Sequence, residues 1–144
     1  KVFDINLRQQ FYSLEVIEAS AQRANIMKLN DEELVILSHM LQLGTTDVET
    51  QCRTLLSRYA LHMLVLTCGT NGSYIYTADE TYFRKTPLVQ VADTVGAGDS
   101  FTATLVSDLL RGTPIAEAHE HAVKVAAYVC TQKGAMAEWP AQGF

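Results

Sequence analysis

HMLVLTC, residues His62–Cys68, is an almost unbroken apolar run of strand length, and it empties at once into the turn GTNG, Gly69–Gly72. A strand with one solvated face alternates polar and apolar residues. One that does not alternate is covered on both faces, the pattern of a parallel strand between helical layers. Working outward in both directions gives the same architecture. On the amino side, Thr46 or Asp47 caps a helix whose apolar face is Val48, Cys52, Leu55, Leu56 and Tyr59. Before it, Asn25–Leu29 is a short strand, and Asn30 stands three residues ahead of Glu33. That is the asparagine form of a capping box, and it opens a helix expected to run through about Leu43. Leu14, Ile17 and Ala21 recur at helical spacing between Ser13 and about Arg23, and Lys1–Ile5 is β-rich and runs into the polar stretch DINLR, Asp4–Arg8. On the carboxyl side, SYIYTADETYFRKT, Ser73–Thr86, reads as two alternating strands joined at Ala78–Glu80, and Leu88–Val91 is expected to add one more. Phe101, Leu105 and Leu109 then mark a helix from Ala97 that Gly112 stops. Thr113, with Pro114 at the first helical position, begins a last helix striped by Ile115, Ala118, Ala122, Val125 and Val129, with Lys133 and Gly134 closing it. The alternation predicts an α/β fold: a mainly parallel sheet flanked by helices, with one antiparallel excursion.

Composition bounds the function. The chain has 144 residues, 48% of them apolar and 19% charged, with eight Gly and three Pro, which is one domain's worth of ordinary globular sequence without low-complexity tracts. The formal charge of −5 and the scattered Lys and Arg supply no basic field, so neither nucleic acid nor an anionic membrane is an expected partner. No apolar run reaches the roughly 18 residues of a membrane span, and KVFDINLRQQ lacks the regions of a secretory signal, so a cytoplasmic location is expected. Cys52, Cys68 and Cys130 have no metal-ligand spacing and read as buried thiols, and His39, His62, His119 and His121 form no ligand constellation. Trp139 reads as a packing residue. Lys1 leads straight into an apolar segment with no initiator Met, as in a chain cut inside a larger protein, a single partial domain over residues 1–144.

The stretch that carries chemistry is ADTVGAGDSF, Ala92–Phe101. Gly96 and Gly98 flank Ala97 where a loop becomes a helix, so the amides of Ala97, Gly98 and Asp99 are expected to converge on one point. The first-turn amides of a helix have no partner within it, and the macrodipole adds about half a positive charge there, which suits phosphate oxygens. Asp99 would repel a phosphate unless its task is to take a proton from a hydroxyl that attacks the phosphorus. By itself a GxGD is more often a capping carboxylate on a glycine turn. The dinucleotide fingerprint fails, because Phe101 stands where its third glycine belongs, and no P-loop is present.

The longer pattern DTVGAGDSFTA resembles the second signature, D-T-x-G-A-G-D-x-F, of the PfkB (ribokinase-like) carbohydrate kinases. NIMKLNDEEL, Asn25–Leu34, is similar to that family's N-x-x-E element, TCGTNG to its T-x-G-x-x-G turn, and CTQKGA to its T-x-x-G-A segment. The four occur in the family's order over nearly the whole chain. The resemblance implies the C-terminal half of a ribokinase-like, Rossmann-like fold, acting as an ATP-dependent, fructokinase-like sugar kinase with magnesium and potassium as cations. It implies Asp99 as the base that deprotonates the sugar hydroxyl, and Gly96, Ala97 and Gly98 as the anion hole for the transferred phosphoryl. Asn30 and Glu33 would lie near the phosphates and magnesium, Thr67, Gly69 and Gly72 against the nucleotide, and Val123, Ala127, Thr131 and Gly134 at the adenine. Asp93 matches a cation-site position, to which Val95 also belongs. Asp4, Asn6 and Arg8 resemble a D-x-N-x-R strand end that approaches substrate, with Ile5 in place of the usual proline.

Other readings stay open on these residues. Asn30 serves equally as a plain helix cap, and Arg8 as a solvated loop residue. The chain fits a non-catalytic nucleotide-binding or regulatory module of the same fold, or a nucleoside or sugar-phosphate kinase. The resemblance also implies a partner, the missing N-terminal half with its sugar-binding glycines, and the apolar sheet edge left without that half predicts self-association, a second copy in a homodimer.

Overall fold

The computed structural model describes residues 1–9, 11–134, 137, 138 and 140. Five strands, β1 (Val2–Asp4), β2 (Ile26–Asn30), β3 (Met63–Thr67), β4 (Ser73–Tyr76) and β5 (Thr81–Arg84), form one sheet in the order β1-β2-β3-β4-β5. The first three are parallel, with Val2 beside Ile26, Ile26 beside Met63 and Asn30 beside Thr67. β4 and β5 are joined by a four-residue connection that Thr77 N closes by donating to Glu80 O at 2.9 Å. The helices are α1 (Leu14–Ala21), α2 (Asp31–Met40), α3 (Val48–Arg58), α4 (Ala97–Leu110) and α5 (Ile115–Cys130). The chain divides into two compact units: Lys1–Cys68 with Tyr74–Phe83, and Gly69–Ser73 with Arg84 onward.

The first unit is built on period. Met27 and Leu29 of β2 and Leu64 and Leu66 of β3 present every second residue to one side of the sheet, where they are fully buried in one cluster with Leu34 and Leu37 of α2 and Cys52 and Leu55 of α3. Each such side chain stabilises the fold by about 1.5–3 kcal/mol. Met63 and Val65, on the opposite face of β3, are buried as well, as the unalternating run requires. Side chains of Ser13, Asn30 and Asp47 cap α1, α2 and α3. Val48, expected on the apolar face of α3, lies exposed in its first turn.

In the second unit α4 and α5 pack together, burying Phe101 and Leu105 on one helix and Ala118, Ala122, Val125 and Val129 on the other. Gly112, at φ +82°, ends the α4 segment, and Thr113 N donates to Asp108 O at 3.0 Å.

Three expectations are corrected. α2 stops at Met40 rather than Leu43, because Gln42 turns to φ +53° and Leu43 N donates back to Ser38 O. Pro114 is the N-cap of α5, one place outside the helix. Leu88–Val91 is not a strand: Leu88 is 94% exposed, and Ala92 N, just beyond it, donates to Cys130 O at the end of α5 instead of to a sheet edge. A largely apolar run of four residues is too short to fix a strand without a ladder beside it. Among the described residues no helix is long and apolar enough to cross a membrane. The three cysteines are free thiols, and burial pushes that of Cys52 up to about 12.

Candidate active site

α4 begins on a residue that has no side chain with which to cap it. Gly96 is the N-cap at φ +83° and ψ −7°, a left-handed conformation that glycine adopts at no steric cost. The first bond along the helix is Ser100 N to Gly96 O at 2.9 Å, while Ala97 N closes a turn on Thr94 O at 3.3 Å. The amides of Gly98 and Asp99, both exposed residues, are therefore the ones left for an outside acceptor. Convergence was expected of three amides, and the structure directs two. No described residue bonds the Asp99 carboxylate, so it is not serving as a cap.

The loop ahead of this helix is strapped down. Asp93 accepts from Val95 N at 3.0 Å and from Gly134 N at 3.1 Å, and these two bonds, that to Val95 first, hold its carboxyl below the usual carboxylate range. The same unit contains the glycine turn, a short 3-10 segment over Gly69–Asn71 with Gly72 following at φ +117°. Thr86 Oγ1 donates to Gly69 O at 2.6 Å and pins this turn. Val123 and Ala127 are 8% and 6% exposed on α5, so they offer little surface to a ligand. Thr131 caps α5, its hydroxyl donating to Tyr128 O and accepting from Gln132 Nε2. Ala135 of the T-x-x-G-A segment, and Trp139, lie outside the described residues.

In the first unit the carboxyl ends of the parallel strands gather the remaining candidates, as open α/β sheets do at their ligand sites. Asn30 and Thr67 are register partners at the ends of β2 and β3. Asn30 Oδ1 accepts from Glu33 N at 2.8 Å, Glu33 Oε2 accepts from Asn30 N at 2.8 Å, and Glu33 Oε1 accepts from Leu7 N at 2.9 Å. Glu33 thus completes the capping box and also ties down the DINLR loop, in which Asn6 adopts φ +45° and Asn6 and Arg8 are exposed. Asp4, facing Lys28 across the ladder, receives its ammonium at 3.2 Å. The loop tie was not readable in advance, since it joins residues 26 apart through a backbone amide.

Glu33 and Asp93, the metal-site candidates, each have both carboxylate oxygens on backbone amides, and no cluster of three or more acidic, His or Cys ligands exists among the described residues. This donor set does not fit a protein-held magnesium ion.

Comparison with known proteins gives the family and the fold. The profile described as pfkB family carbohydrate kinase matches residues 1–142. Aminoimidazole riboside kinase of Salmonella typhimurium is 32% identical over 149 residues, covering 96% of this chain and 45% of the relative. The crystal structure of the Salmonella enterica enzyme, complexed with aminoimidazole riboside and an ATP analogue, superposes with a TM-score of 0.78 at 32% identity, over 94% of this chain and 47% of that one. Fructokinase from Vibrio cholerae, solved with fructose, ADP and a calcium ion, gives a TM-score of 0.76 at 28% identity, over 94% of this chain and 46% of that one. The chain spans just under half the length of each of these relatives. It belongs to the PfkB family of carbohydrate kinases, and its fold is ribokinase-like.

Proposed function

We propose that this chain is the nucleotide-binding and catalytic part of an ATP-dependent kinase acting on the hydroxyl of a sugar or riboside, fructokinase-like in its substrate class. The observation that carries the reading is the uncapped start of α4, where the amides of Gly98 and Asp99 are open beside a carboxylate that no described residue bonds. The two amides and the helix dipole receive the negative oxygens of the γ-phosphoryl group as charge develops on them. Asp99 takes the proton from the acceptor hydroxyl. That oxygen forms its bond to the γ-phosphorus while the bond from the γ-phosphorus to the bridging oxygen breaks, and ADP leaves with the electron pair. MgATP is the substrate, and its magnesium supplies charge neutralisation on the phosphates.

The Gly69–Gly72 turn, Thr67 and Asn30 are the nucleotide-side candidates, and Asn6 and Arg8 the acceptor-side ones. A guanidinium suits a phosphate or an acidic sugar. Support comes from the relatives, whose bound riboside, fructose and nucleotides are the ligands this reading requires.

Two measurements test it. Adding a non-hydrolysable ATP analogue shifts the amide resonances of Gly98 and Asp99 more than those of the capped first turns of α1 and α3. Asp99→Asn, in the intact gene product, keeps nucleotide affinity within about twofold and lowers turnover by about 10²- to 10⁴-fold, the range of a general base. Turnover unchanged in that variant removes Asp99 from its role.

A further inference from the structure

The second unit contains a buried imidazole that the proposed chemistry leaves unused. His119, on α5, is fully enclosed, with Nε2 2.7 Å from Ser73 Oγ and its ring edge-on to Phe101 at 6.0 Å and 80°. Its Nδ1 is buried with no hydrogen-bond partner among the described residues. An orphaned buried N–H is rarer than an under-used acceptor, so the proton is assigned to Nε2, which donates to the Ser73 hydroxyl. A leucine here would fill the space without burying a bare nitrogen, so packing does not account for the imidazole.

What its two neighbours have in common is location. Ser73, itself buried, follows Gly72 directly and opens β4. Phe101 is the first buried residue of α4 and stands two places after Asp99. The imidazole therefore bonds the residue that leaves the glycine turn and packs on Phe101, which opens the second turn of the helix that presents the Gly98 and Asp99 amides. Thr86 holds the other end of that glycine turn. The charged group that acts on the ring is Arg84, whose guanidinium donates to Ala116 O at 3.2 Å and stands 4.0 Å from Glu120 Oε2. Burial, with Arg84 adding to it, keeps the ring neutral, with a pKa lowered to about 4.

We propose that His119 is a positioning residue that fixes the Gly69–Gly72 turn against the amino end of α4, so that the two glycine elements of the nucleotide site hold one geometry. This rests on the reading that residues 96–99 receive the phosphates.

The test is the affinity of the 144-residue chain for a fluorescent ATP analogue with magnesium, in Ser73→Ala, His119→Leu, the double variant and His119→Gln. Thermal midpoints are recorded alongside. Ser73→Ala and His119→Leu each weaken binding about tenfold, and the double variant is no weaker than the worse single one, as for two residues in one network. His119→Gln, whose amide can donate to the same hydroxyl, recovers affinity to within about threefold of the parent. Wild-type affinity in both single variants, whatever their midpoints, overturns the proposal, as does full additivity in the double variant. If His119→Leu fails to fold, Ser73→Ala and His119→Gln decide it alone. A parent chain that does not bind the analogue removes the nucleotide reading and this inference together. A parent that binds, with variants that bind equally, removes only the inference.

Discussion

Glu33 shows how one side chain can be read two ways and how its bonds separate them. Its carboxylate, on a residue 6% exposed, serves two ends at once: it closes the box on Asn30 and takes the amide of Leu7. Glu33→Ala leaves two amides without their acceptor, and hydrogen bonds to a charged group contribute about 1.5–3 kcal/mol each, so a loss of about 3–6 kcal/mol is expected in urea unfolding without magnesium. Glu33→Gln, with one carbonyl oxygen for two donors, falls between. A residue kept only for a cation would leave metal-free stability unchanged. His119 makes the matching prediction for pH. Its pKa lies below the unfolded value of 6.5, so above pH 6.5 both states are neutral and the ring adds no pH dependence. As pH falls from 6.5 towards 4 the unfolded chain takes up a proton that the folded one refuses, and stability drops by about 2–3 kcal/mol from this group. The difference in unfolding free energy between the parent and His119→Gln, measured across that interval, isolates the contribution.

At the scale of elements, α4 differs from the three helices before it in beginning on a bare backbone. Gly96→Ala places a Cβ on a left-handed residue, which costs about 1–2 kcal/mol, and reorients the amides that follow. The expected outcome is that midpoint loss together with weakened ATP-analogue binding, measured on the same sample. Most elements were legible because each has a short-range cause. The unalternating HMLVLTC run predicted a doubly covered strand, the Asn30–Glu33 spacing a box, and Gly112 a stop. What was not legible depends on partners distant in sequence. Leu88–Val91 is apolar like a short strand, yet the chain next to it bonds to the end of α5; the third bond of Glu33 goes to a loop 26 residues earlier; and His119 looked like one more polar residue on α5 until Ser73 and Phe101 were placed beside it. The candidate site was legible where a motif is contiguous, at residues 96–99, and blurred where it is not. Val123 and Ala127, which the resemblance puts at the adenine, are buried on α5.

For the whole molecule, the sheet order leaves β1 at one edge with a ladder on a single side among the described residues. Ile26 N donates to Lys1 O and Ile5 N to Lys28 O, so the odd-numbered residues face β2 while the backbone groups of Val2 and Asp4 point outward. An edge of that kind templates another strand. In sedimentation velocity the 144-residue chain is expected to associate at tens of micromolar, and Val2→Pro, which removes an outward donor and spares the β2 ladder, to shift it towards monomer. Association unaffected by Val2→Pro would place the contact elsewhere.

The route of the backbone between the two compact units has a consequence for how such chains diversify. It passes from the first unit to the second after Cys68, returns at Tyr74, and leaves again after Phe83, so Gly69–Ser73, the glycine turn with the residue after it, is in sequence an island of the second unit inside the first. No single recombination point separates the units. A chimera joined after Phe83 would inherit its glycine turn from one parent and the matching helix start from the other, and shuffling within this family should succeed only where both parents agree at those few positions.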